Sequence, residues 1–150
     1  MSDTGQRVAI ITGGSQGIGA GLVAGYRGQG WAALDRFGRI DTLVNDAGVF
    51  ISKRFTDFTA DDYALVVGVN LTGFFWLTQH VIAEMLKRGG GHVVNISATV
   101  AEYALSSELS VLAALTKGGV ASATRALFLE SAPYIIGEIL HVDGGRSAGH

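Results

Sequence analysis

Val8-Ala9-Ile10-Ile11 runs straight into Thr12-Gly13-Gly14-Ser15-Gln16-Gly17-Ile18-Gly19, and this junction restricts the fold more than any other stretch. Four consecutive apolar residues, with no polar residue alternating among them, read as a short strand covered on both faces. Such strands belong to parallel sheets, whose neighbours are reached through crossover helices. A helix is expected from Ile18 to about Arg27, with Gly28 and Gly30 near its stop. Strand, glycine turn and helix start together make an anion site, because the first helical N–H groups are free and the helix dipole favours negative charge there. Glycine is needed because a Cβ would hold a pyrophosphate away from the backbone.

The remaining chain repeats the strand-and-helix alternation. Arg39 to Asn45 reads as a second strand ending in Asn45-Asp46-Ala47-Gly48. Thr59 with Asp61 and Asp62 has the chemistry of a helix N-cap and an acidic first turn. The helical pattern then carries Tyr63 to Arg88 and stops at Gly89-Gly90-Gly91. Phe74, Leu77 or Thr78, Val81 and Met85 form one stripe on it, and Phe75, Ile82 and Leu86 form a second. One stripe suits a core and the other a contact with another copy. His92 to Ser97 reads as a third strand, Leu109 to Glu130 as a helix rich in small residues, and Glu138 to Val142 as a last short strand. One domain over residues 1–150 is expected, with strands near 7–12, 41–46, 92–97 and 138–142 in a single parallel sheet. The long helices should lie on the same face of it.

Composition narrows the function classes. The net charge is −2 and charged residues make up 16%, so no basic field invites nucleic acid or an anionic membrane. There is no cysteine, which removes disulfide and thiolate chemistry. The four histidines show no metal-ligand spacing, and no metal is expected. Met1 to Arg7 has no apolar signal-peptide core. The apolar run 64–86 is interrupted by Asn70, Thr72, Thr78, Gln79, His80 and Glu84, so no membrane span is expected, and a cytoplasmic location is the default. A hydrophobic content of 48% suits a doubly covered sheet and a homo-oligomer, dimer or tetramer.

Thr12-Gly13-x-x-x-Gly17-x-Gly19 resembles the signature of the short-chain dehydrogenase/reductase family, and the resemblance continues in order along the chain. Asn45–Gly48, Asn70, Val93–Ser97, Lys117 and Asp143–Gly145 all fall on family motifs. The resemblance implies an α/β, Rossmann-like parallel sheet with helices on both faces, and hydride exchange between NAD or NADP and a small-molecule carbonyl or alcohol. It implies cofactor-binding roles for Thr12, Gly13, Ser15, Gln16, Gly17, Ile18, Gly19, Asn45, Ala47, Gly48 and Lys117. Catalytic roles are implied for Lys117, for Asn70, which in the family holds a helix kink and a relay water, and for a hydroxyl at Ser97 or Thr99. In the family a tyrosine stands four residues before the lysine, whose charge lowers the phenol pKa so that it relays a proton.

The departures are as informative as the matches. Ala113 stands where the tyrosine belongs, Ala98 where the carbonyl-polarising serine belongs, and Asp46 where the family has asparagine. Loss of the phenol should leave a gap beside Lys117. Tyr103 and Tyr134 are the nearest tyrosines along the chain, and neither lies one helical turn from Lys117. A complete member runs to about 250 residues. Between Trp31 and Asp41 there is no room for two further strands, and after Glu130 the chain passes almost directly to its last strand. The sequence therefore reads as an abridged family member with a reduced strand number and an exposed first strand. The alternative reading is a dinucleotide-binding or oligomer-forming protein without catalysis.

Overall fold

The computed structural model describes residues 7–13, 34–103, 109–131 and 133–141, so the helix expected at Ile18–Arg27 lies outside the described residues. Four strands, β1 (Ala9–Ile11), β2 (Thr42–Asn45), β3 (Gly91–Ser97) and β4 (Ile135–His141), pair in chain order, all parallel. This is the Rossmann-like parallel sheet of reduced strand number that the motifs imply. β4 begins three residues before Glu138, because only residues 132–134 separate it from the preceding helix. The Gly91 N–H donates to the Tyr134 carbonyl at 3.1 Å, which seats β4 directly beside β3.

Helix α1 (Ala60–Val67) starts on the expected cap: the Thr59 hydroxyl accepts from Asp62 N–H, and the Asp62 carboxylate accepts from Thr59 N–H. A π-helical turn, Gly68–Gly73, joins α1 to α2 (Phe74–Leu86), and α3 (Val111–Ser131) follows β3. The run Ala60–Leu86 is long and apolar enough, by length and composition alone, to cross a bilayer. Its Val66, Val69, Leu77, Val81 and Met85 are nevertheless buried inside the fold.

Register decides which strand residues share a face. Leu43 and Asn45 lie beside Val93 and Asn95, which lie beside Gly137 and Ile139. Leu77, Val81 and Met85 of α2 pack with Leu43, Val93, Ile10 and Ile135 in one core cluster. Burying side chains of this size contributes about 1.5–3 kcal/mol each. On the same face the Phe128 ring of α3 occupies the space a Cβ would take at Gly137. Both long helices thus cover one face, since successive right-handed crossovers moving one way across a sheet return on the same side. The opposite face is barer: Ile11, Ile136 and Leu140 are 63%, 65% and 51% exposed.

Among the described residues β1 is an edge strand of this sheet. Its start is latched by Asp41, whose carboxylate accepts from Val8 N–H at 2.7 Å and from Arg39 Nε at 3.0 Å. The Arg39 hydrogen bond holds the Asp41 carboxyl below its usual range.

Candidate active site

The carboxyl ends of β1, β2 and β3 meet at one rim of the sheet, where open parallel sheets bind their ligands. Gly13 follows β1 with φ +90°, and a Cβ there would sit 2.9 Å from Ala47 N, so only glycine lets the two turns touch. Thr12 is 3% exposed, and its hydroxyl accepts from Asp46 N–H and Ala47 N–H, each at 3.1 Å. The turn after β2 is therefore pinned to the end of β1. Ser15, Gln16, Gly17, Ile18 and Gly19 lie outside the described residues.

Asn70 sits in the π-helical turn, a widened turn of the kind often found at functional sites. Its Oδ1 accepts from Val49 N–H at 2.8 Å, and its Nδ2 donates to the Val49 carbonyl at 3.0 Å. Nδ2 also donates to Thr116 Oγ1 at 3.1 Å. The side chain thus holds the kinked helix against the loop after β2.

Lys117 projects from α3 to the same place. Its Nζ donates to the Ile96 carbonyl at 2.9 Å, and a Cβ on Gly48 would lie 3.3 Å from Nζ and 3.6 Å from Asn70 Oδ1. Burial pushes the Lys117 ammonium below the usual lysine pKa, and the Asp46 carboxylate opposes that shift. Thr12, Gly13, Ala47, Gly48, Asn70 and Lys117 are thus gathered at one rim.

Ser97 ends β3 and Thr99 opens the short turn after it, at the same rim, whereas Asn45 is directed elsewhere. The Asn45 side chain turns under the sheet, where Nδ2 donates to Thr78 Oγ1 at 2.9 Å and to Asn95 Oδ1 at 2.8 Å. Asn95 Nδ2 in turn donates to Thr124 Oγ1 at 2.8 Å, so a polar chain links α2, β2, β3 and α3. Ser97 and Thr99 are each 2% exposed. Ser97 Oγ has no hydrogen-bond partner among the described residues. Ala113, where the resemblance places the phenol, is 5% exposed. Tyr134 lies at the amino end of β3, about 20 Å along the strand from the rim. Tyr103 lies at the rim end, just past the short helical turn Thr99–Ala101, and is 60% exposed. The sequence reading missed Thr116 and Thr124. Their only signal is a pair of hydroxyls about two turns apart along the inward side of α3.

A parallel α/β sheet with a pinned glycine turn and a desolvated lysine at its carboxyl rim defines a protein of the Rossmann-like class. The chain belongs to the short chain dehydrogenase family, whose model matches residues 31–139. It is 35% identical over 92 residues to a 3-oxoacyl-(acyl-carrier-protein) reductase of Thermotoga maritima, covering 61% of this chain and 37% of that protein. It is 29% identical to an acetoacetyl-CoA reductase of Rhizobium meliloti, covering 84% of this chain and 68% of the relative. That second alignment spans 166 residues, more than this chain contains, so the relative has stretches with no counterpart here. Among solved structures, a gluconate 5-dehydrogenase from Burkholderia cenocepacia in complex with NADP and tartrate superposes with TM-score 0.72 at 27% identity, over 89% of this chain and 70% of that one. A short-chain dehydrogenase from Streptomyces avermitilis gives TM-score 0.75 at 26% identity, over 83% of this chain and 45% of that one.

Proposed function

We propose that this chain binds NAD or NADP and exchanges hydride with a small carbonyl or alcohol, slowly for its family. The observation that carries the reading is Lys117 Nζ facing Gly48 from the floor of the rim. One of its three N–H donors is spent on the Ile96 carbonyl, and two remain for the hydroxyls of a ribose. Gly48 leaves open the space a Cβ would fill beside Nζ, so the residues present fit such a group. The relative solved with NADP and tartrate supports the same cofactor class.

In this arrangement Thr12 and Gly13 would hold the turn near the pyrophosphate end, and Lys117 and Gly48 the ribose end. Asn70 would keep the wall between them rigid. A bound nicotinamide supplies the hydride, and the protein orients it and excludes water. Lys117 would hold its proton near the reacting centre, but Ala113 offers no phenol and Ala98 no hydroxyl to pass a proton to the carbonyl oxygen. A positioned general acid is worth roughly 10²–10⁴-fold, and turnover should be lower by that order. The exposed faces carrying Phe75, Trp76 and Leu115 are the proposed contact with a second copy.

The test is a titration with NADH and NADPH, followed by turnover with small ketones and alcohols, on the unaltered chain and on Lys117→Met. Micromolar to millimolar binding lost in the variant supports the reading. Absence of binding by either nucleotide, or carbonyl reduction that survives Lys117→Met, overturns it.

A further inference from the structure

Thr116 directly precedes Lys117 and is 0% exposed. Its hydroxyl accepts from Asn70 Nδ2 and donates back along α3 towards the Leu112 carbonyl at 3.0 Å and the Ala113 carbonyl at 3.2 Å. With the Val49 carbonyl taking one amide hydrogen and Thr116 the other, both Asn70 N–H groups are used. Asn70 Oδ1 then accepts from Val49 N–H, so the side chain pairs with Val49 as a strand would. Val49 is bonded to Gly48, and Gly48 is the residue that faces the lysine Nζ.

We infer that Thr116 is a positioning residue for Lys117: it fixes the Asn70 amide, which fixes Val49, which sets the Gly48 turn against the ammonium. The same helix thus supplies both the cation and the hydroxyl that holds the opposite wall at its distance. The inference rests on the reading of Lys117 and Gly48 as the ribose end of the site. A methyl in place of the hydroxyl would fill the same volume, so side-chain size alone does not need a threonine here. What only the hydroxyl does is accept the second Asn70 N–H, in a place where Asn70 is 4% exposed and water is not a ready substitute.

The experiment is backbone amide hydrogen exchange on the full chain, comparing wild type, Thr116→Val and Thr116→Ser, with acylation of Lys117 followed by mass spectrometry. Valine leaves a buried N–H without an acceptor, a penalty that corresponds to about five- to 150-fold in a local opening equilibrium. The Val49 amide should exchange faster by that factor, and Lys117 should acylate at a changed rate, while the amides of the β2–β3 ladder keep their protection. Serine should behave as wild type. The inference fails if Val49 exchange is unchanged in the valine variant, rises only in step with the β2–β3 ladder, or rises equally with serine. Should valine prevent folding, Thr116→Ala reads the same contrast without a β-branched side chain. Failure of the unaltered chain to bind dinucleotide would remove the proposed function, whereas the exchange pattern decides the role of Thr116 separately.

Discussion

Replacing Thr12 by valine keeps the shape of a 3% exposed side chain and removes one oxygen. That oxygen is the acceptor for two backbone N–H groups, Asp46 and Ala47, each at 3.1 Å. Asp46 is exposed and regains a water, whereas Ala47 is half-buried and regains one poorly. One unsatisfied donor in a partly buried place costs about 1–3 kcal/mol. For a chain of 150 residues that corresponds to a fall of roughly 3–10 °C in Tm. Thr12→Ser keeps the oxygen and loses one methyl, at a cost of about 0.8 kcal/mol. Urea unfolding of the three proteins measures the difference, with the slope held as a check that the unfolded state is unchanged. Loosening of the turn should also weaken dinucleotide binding in the valine variant. A valine variant as stable as the serine variant would refute the reasoning, because the pinning would then come from shape and not from the hydroxyl.

Lys117 titrates below the ordinary lysine value of 10.5 because it is buried, so the unfolded chain binds more protons between the folded value and 10.5. Stability should therefore rise with pH across that window, and Lys117→Met should lose the rise in urea melts at stepped pH. Asp46→Asn removes the charge that opposes the burial effect, and should shift the Lys117 titration further down, read by the pH dependence of its acylation. Asn95→Ala, at a 0% exposed position, leaves Asn45 Nδ2 without one acceptor, and should cost about 1–3 kcal/mol in the same melts. Leu115→Glu, on the exposed side of α3, should shift a proposed dimer towards monomer in light scattering at micromolar concentration, with the fold retained by circular dichroism.

Much of this molecule is legible from residues close together in the chain. The apolar runs ending at Ile11, Asn45 and Ser97 state strands, and the Thr59–Asp62 box states a helix start, because each rests on periodicity or a hydrogen bond spanning a few residues. Lys117 is placed by its motif, and the methyl groups at Ala113 and Ala98 are read from the chain as lost chemistry. What the sequence alone left open is everything set by pairing across long separations. Asn45 belongs to a family cofactor motif, yet its side chain turns inwards because Asn95, 50 residues away, arrives beside it with a carbonyl oxygen. β4 lies against β3 because the short link at Pro133 and Tyr134 lets it reach that edge, a matter of chain reach and hydrogen-bond register. Thr116 looks like an ordinary core residue until α3 packs on the π-helical turn and brings its hydroxyl to Asn70, 46 residues earlier. Local chemistry is written in neighbours along the chain; which buried polar group meets which is decided only when helices and strands dock, since each must then find a partner in place of water.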